Sequence, residues 1–343
     1  MNKTAKKRLF SGLTMLLAAA LLAGCAPDGK TQVSATDTAA VSSASEPART
    51  VDTVTRSNVY DGSYRSELTE NEQAVYDAMV QHYVVERKSN EESFSVDIVS
   101  FGAGQPGFRG YNATMNHVWE AFRLDYPEIF WVCFPHFIQL YDDNKQEIGI
   151  SPRFDSGEDG DYSEAEKVFS GIDEAEAAIK EMRKSDSRYD TVKAIHDYLC
   201  EKESFDDDSY YVSDNAEAHS VIPAFGGGTR PYKVVCEGYA RAFKALCNRF
   251  RIPSVTYDEC VHMWNLVQMD DGIWYGIDTT WDDVENGSPR YTYFLFGKNI
   301  PKTGEIHSFQ GIAAATFSKV GLYDQPDFYY PSPIAEKKYI PAK

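Results

Sequence analysis

The sequence predicts an α+β protein: a strongly amphipathic helix, then an antiparallel ribbon, with a smaller α+β domain in front of them. Two patterns carry this reading. Counting from Tyr239, apolar positions 242, 243, 246, 247 and 250 fall at i+3, i+4, i+7, i+8 and i+11, the stripe of a helix that buries one face. Residues 261–269 and 273–281 then alternate as two strands joined by Asp270-Asp271-Gly272. Of the 343 residues, 43% are hydrophobic and 13% aromatic, which excludes a wholly disordered chain, a collagen-like repeat and a coiled coil.

The chain opens with Lys3, Lys6, Lys7 and Arg8, followed by an almost wholly apolar run over 9–22. That run is too short to span a bilayer as a permanent helix, and the pattern is that of a secretory signal over 1–25. Leu22-Ala23-Gly24-Cys25 resembles the lipobox of bacterial lipoproteins, which implies lipidation at Cys25 and an extracytoplasmic, membrane-anchored mature chain. Residues 26–57 read as a disordered tether: thirteen of the twenty residues in 31–50 are Ser, Thr or Ala and none is aromatic. The net charge of −18 becomes −22 once the four basic and no acidic residues of 1–25 are removed. Such a surface repels phosphate backbones and anionic lipid alike, so nucleic acid is excluded as a partner and the membrane is reached only through the anchor on Cys25.

The N-terminal domain is placed at 58–162. Thr69 and Glu72 form a capping box before a helical stripe of Val75, Tyr76, Met79, Val80 and Tyr83. A second helix spans 113–124, with Met115, Val118, Trp119 and Phe122 on one face. The aromatic, β-branched run 129–141 is a strand broken or edged by Pro135, and 146–153 pairs with it. The acidic stretch Asp155–Glu166 lacks a ligating side chain at its third place, Gly157, so it reads as a solvated turn rather than a calcium loop.

The second domain is placed at 163–325, leaving 326–343 as a C-terminal tail. It starts with helices over 163–184 and 189–202. His196 lies on the apolar face of the second, beside Val192, Ile195 and Leu199, and is a packed core histidine. Asp206, Asp207 and Asp208 read as an exposed acidic run. Gly226, Gly227 and Gly228 lack the preceding strand and the GK[ST] ending of a phosphate cradle, and read as a flexible loop with the character of a lid.

Chemistry concentrates in the last third. Cys236 stands at the start of the 234–251 helix, off its apolar stripe, where the dipole favours a thiolate. Cys247 is on the stripe and reads as a buried, inert thiol. Five cysteines follow Cys25, so at least one thiol is unpaired, and no C-x-x-C pair suggests zinc or thioredoxin chemistry. A three-residue hairpin loop with Gly272 in the left-handed position pairs 269 with 273 and 264 with 278. That register puts His262 and Asp278 on one face as diagonal neighbours; a two-residue loop would separate them. A nucleophilic cysteine, a histidine base and an acid that orients the imidazole are the parts that covalent acyl transfer requires. His307 lies near the end of the core and could approach the cleft, but nothing in its sequence surroundings pairs it with an acid, and it is not assigned to the site.

VVCEGYARAF (234–243), HMWNLV (262–267) and IDTTWDD (277–283) resemble the three blocks of the transglutaminase-like superfamily, and IHDYLC (195–200) resembles the helix that often precedes its core. The resemblance covers about 186–310. It implies a papain-like fold in which the nucleophile helix packs on an antiparallel sheet, with Cys236 as nucleophile, His262 as base and Asp278 as orienting acid. Trp264 and Trp281 match aromatic positions that line or support the substrate cleft. The region around 111–131, with DYPEIFW, resembles the leader domain of similar lipoproteins. The Gly-rich stretch 219–233 departs from the compact loop usual before the Cys block, and leaves the second oxyanion donor unassigned, with His219 and Tyr232 as weak candidates. The expected function is a surface-anchored cysteine acyl-transfer enzyme acting on extracellular peptide, protein or cell-wall stem peptide, with hydrolysis favoured. A transglutaminase with an amine acceptor and a catalytically idle peptide-binding module are the alternatives. A solute-binding lipoprotein would need alternating βαβ units, which are not apparent. No metal and no organic cofactor is expected.

Overall fold

The computed structural model describes residues 60–341 apart from 61, 93, 98–101, 104–107, 109, 156–161, 211–215, 260–261, 285–286, 300–306, 308 and 310–327. The signal segment, Cys25, the tether, most of the acidic turn and Cys260 lie outside the described residues. All described residues belong to one compact unit, of mixed helix and sheet.

Helix α1 (Glu70–Met79) begins where the sequence places it. The Thr69 hydroxyl accepts from the Glu72 amide and the Glu72 carboxylate accepts from the Thr69 amide at 2.9 Å, satisfying two otherwise orphaned donors. It continues as a π-helical stretch through Val85. Strand β1 (Val96–Asp97) was not legible in the sequence; it adds to a sheet whose order is β1-β3-β2. After α2 (Tyr111–Asp125) come β2 (Cys133–Tyr141) and its antiparallel partner β3 (Glu147–Asp155). The strand therefore starts four residues later than the aromatic run suggests. Ile129, Phe130, Trp131 and Val132 are buried all the same, as a turn beneath the core. Pro135 sits at a register irregularity next to Cys133, where a missing N–H costs no ladder bond.

Helices α3 (Ala165–Met182) and α4 (Arg188–Lys202) pack on each other, and the Ser187 hydroxyl caps α4 through the Asp190 amide at 3.1 Å. A two-residue parallel pair, β4 (Ser204–Phe205) with β5 (Lys233–Val234), fastens the exit of α4 to the residues leading into α5 (Cys236–Arg249). Helix α5 lies on β6 (Ser254–Glu259) and β7 (His262–Gln268), and β8 (Trp274–Ile277) completes an antiparallel sheet of order β6-β7-β8. The alternation of buried Val255 and Tyr257 marks β6, a strand the sequence reading passed over. Strand β8 ends at Ile277, not at 281: Asp278 caps the single turn α6 (Thr279–Asp282) with its own side chain.

Three further expectations change. The triglycine segment is a tight packed turn, not a loose loop: the Gly227 amide donates to the Ile222 carbonyl at 2.9 Å, the Gly228 amide to Glu164 at 3.0 Å and the Thr229 amide to Glu217 at 3.1 Å. Asp206 is buried, bonded to Arg230 at 2.8 Å and to the Ser209 hydroxyl at 2.5 Å, while Asp207 and Asp208 are exposed. Residues 334–339 are not a detached tail: the Ala335 amide donates to the Trp274 carbonyl at 2.8 Å and the Tyr339 amide to the Leu295 carbonyl at 2.9 Å.

Residues on both sides of position 162 share one hydrophobic core. A buried polar knot joins them. Lys244 of α5 donates to Asn248 Oδ1 at 2.7 Å and lies 4.0 Å from the Asp125 carboxylate at the end of α2. Asp125 also accepts from the Ser63 and Tyr64 amides and the Tyr76 hydroxyl, and Asn248 donates to the Asp125 carbonyl at 2.8 Å. Both Lys244 and Asp125 are fully buried.

Candidate active site

Cys236 is the first residue of α5, so its amide is among the N–H groups that a helix start leaves without an intrahelical acceptor. The residue is 8% exposed. The hairpin carrying its partners has the register expected from the turn: the Met269 amide meets the Ile273 carbonyl at 3.0 Å, Asn265 pairs with Ile277, and Gly272 has φ +76°. His262 opens β7 and Asp278 follows β8, so their side chains meet at one end of the sheet. His262 Nε2 lies 2.7 Å from Asp278 Oδ2.

With Nε2 on the carboxylate, Cys236 is the other group that acts on the His262 imidazole. Burial alone would lower the imidazole, but the charge and hydrogen bond of Asp278, then the hydrogen bond and charge of Cys236, raise it to about 10. Burial would likewise raise Asp278, yet His262, and behind it His307, hold its carboxyl well below the usual carboxylate range. Both shifts favour the charged forms of the pair.

His307 carries little weight in the sequence, because nothing in its sequence surroundings pairs it with an acid. The structure brings it to Asp278: its Nε2 lies 2.8 Å from the same oxygen, Oδ2, that receives His262. Twenty-nine residues separate the two, and no local pattern announces the contact. Asp278 Oδ1 accepts the Trp281 amide at 3.1 Å. His262, Asp278 and His307 offer donor atoms within 4.8 Å of one another, the two-histidine, one-carboxylate set from which divalent-metal sites are made. Both Nε2 atoms already meet the carboxylate at hydrogen-bond distance.

The two matched tryptophans differ in placement. Trp281 is half-buried beside His262, with ring centroids 6.0 Å apart. Trp264 is 1% exposed and packs on Tyr257, Phe296, His307 and Phe309. His219 is engaged with Glu237 at 2.9 Å, and Tyr232 is tied into the β5 approach, its amide on the Pro223 carbonyl at 2.7 Å. His196 is fully buried, as expected, and bridges Asp197 at 3.0 Å and Asp282 at 3.3 Å, bracing α6 from the side of α4. Among the described residues, Cys200, Cys236 and Cys247 form no disulfide. Burial raises Cys247 to about 12 and pushes Cys200 higher still, which leaves both inert.

No family model matches the chain, and no curated protein matches it. Among solved structures it is similar to a protein from Cytophaga hutchinsonii described as a candidate cysteine protease, at 14% identity and TM-score 0.24, over 43% of this chain and 65% of that one. It is also similar to a structure described as a TGase, at 15% identity and TM-score 0.26, over 58% of this chain and 55% of that one. The chain thus spans less than two thirds of the length of either.

Proposed function

We propose that this chain is a transglutaminase-like cysteine acyl-transfer enzyme that cleaves amide bonds of extracellular peptide or protein, cell-wall stem peptide included, while anchored to the membrane through lipid on Cys25. One observation carries the reading: a buried His262 whose Nε2 meets Asp278 at 2.7 Å, with Cys236, the first residue of a helix, among the groups that act on its imidazole. The Cys236 thiolate, formed by proton transfer to His262, attacks the amide carbonyl carbon. The backbone N–H groups at the start of α5 face the charge that develops on the oxygen. His262 Nδ1–H gives its proton to the leaving amine, the C–N bond breaks, and a thioester remains. Water, losing a proton to His262, then attacks the thioester and releases the acid and the thiolate. An amine in place of water would give a transglutaminase by the same steps.

The test is alkylation by iodoacetamide at about pH 6, where an ordinary thiol of pKa about 8.5 is nearly inert. Peptide mapping is expected to find fast labelling at Cys236, reduced at least tenfold in His262→Ala. Labelling that is slow in the native chain, or equal in both, overturns the enzymatic reading.

A further inference from the structure

We propose that His307 is a positioning residue for the Cys236 site: its Nε2–H fixes the Asp278 carboxylate that in turn holds His262. This rests on the acyl-transfer reading above and adds to it a fourth residue that the Cys, His and Asp blocks do not contain.

The case begins with the acceptor. Asp278 sits at the junction of β8 and α6, where the backbone leaves the sheet and the side chain is free to turn about its last torsion. Three donors stop that rotation. The Trp281 amide holds Oδ1, and His262 and His307 both hold Oδ2, at 2.7 and 2.8 Å. Without His307, the carboxylate would keep only a local backbone contact and the base it is meant to orient. With it, the carboxylate is fixed by a group that takes no part in the proton transfer.

His307 is itself held rigidly. It is 5% exposed. Its ring stacks on Tyr293 with centroids 4.6 Å apart and 26° between planes, and meets Trp281 and Phe296 edge-on at 5.3 and 5.4 Å. Trp264 closes the box at 5.5 Å. Such a cage leaves the imidazole one useful direction, toward Asp278. The hydrogen bond to Oδ2 assigns the ring hydrogen to Nε2. Nδ1 is buried with no hydrogen-bond partner among the described residues; as a bare acceptor it is tolerated there, whereas an N–H in that place would be an unpaired buried donor. The surroundings thus select the tautomer that donates to Asp278. The same tautomer is the wrong one for a metal ligand through Nε2, which would need the hydrogen on Nδ1.

The test compares His307→Leu, which fills the cage without a donor, with His307→Gln, whose amide N–H reaches the place of Nε2. The readout is the rate of Cys236 alkylation by iodoacetamide between pH 4 and pH 9. Charged neighbours common to all variants are His262 on β7 and Asp282 on α6, the latter held by His196. Loss of a donor makes Asp278 easier to protonate. His307→Leu should therefore lower the plateau rate about tenfold, the order expected when a supporting group is misplaced, and move the acid limb to higher pH. His307→Gln should restore both, to within about threefold of the native rate. An unchanged limb and plateau in His307→Leu, or a folded His307→Gln that behaves like His307→Leu, overturns the positioning role. Zinc that blocks labelling in the native chain but not in His307→Leu would also overturn it and make the cluster a metal site. If native Cys236 itself labels slowly, the acyl-transfer reading has failed, an outcome distinct from failure of the role of His307 alone.

Discussion

The His262–Asp278 contact links the site to stability as well as to chemistry. The imidazole is raised from its ordinary value of about 6.5 to about 10 in the folded protein. A group raised on folding contributes stability that is complete below its unfolded pKa and fades as pH climbs through the folded one. Asp278 is shifted the other way, so its contribution is complete above about pH 4 and fades as acid reaches its lowered pKa. Native protein and His262→Gln should therefore differ most in Tm near pH 6, and the gap should narrow steadily toward pH 10. Thermal melts at matched ionic strength read this directly; a gap that is constant from pH 6 to pH 10 would mean that His262 is not held as the charged form. At this scale the sequence was informative because the pairing is local: sixteen residues separate His262 and Asp278, and one turn type sets their register. His307 was not legible for the opposite reason, since it reaches Asp278 only through the tertiary packing of Tyr293, Phe296 and Trp264 around it.

Helix α5 shows how a packed element sets the direction of one side chain. Its stripe of Tyr239, Ala242, Phe243, Leu246 and Cys247 is buried against the sheet, which fixes the rotation of the helix and hence the direction of Cys236. Gly238 lets the first turn seat closely: a methyl group there would come within 2.7 Å of Val234 Cβ and 2.8 Å of the Ala218 carbonyl. The carbonyl is backbone and accepts the Val235 amide at 3.0 Å, so it cannot yield cheaply. Gly238→Ala should cost about 1–3 kcal/mol by overpacking and, by lifting the helix start from β5, slow Cys236 alkylation more than global stability alone accounts for. Urea titration and labelling on one preparation separate the two effects. A variant with native labelling would show that the start of α5 has slack. Elements with strong local signals, the Thr69 capping box, the α5 stripe and the Gly272 hairpin, were legible to within a few residues. Those set by partners were not: β1 exists because β3 offers it an edge, and the end of β8 is decided by Asp278 turning to cap α6.

Across the molecule, the knot of Lys244 and Asp125 joins the N-terminal elements to helix α5. Each charge is fully buried, and the cost of burying either alone far exceeds that of burying both. Burial lowers Lys244 while the Asp125 and Glu128 charges oppose that; burial raises Asp125 while Lys244 and its amide and hydroxyl donors oppose it. Neither partner is self-sufficient, and the sequence held no sign of this, because Lys244 sits among the polar-looking positions of α5 and meets Asp125 from more than a hundred residues away. Lys244→Met removes one charge and keeps the volume, leaving Asp125 buried and unpaired; it should destabilise by about 3–5 kcal/mol. Adding Asp125→Asn to it removes the stranded charge while the amide still accepts from the Ser63 and Tyr64 amides. The double variant should then recover a good part of the loss, a coupling of about 1–3 kcal/mol in a double-mutant cycle read by urea denaturation. Additive losses would mean that the two charges are held by their hydrogen bonds separately.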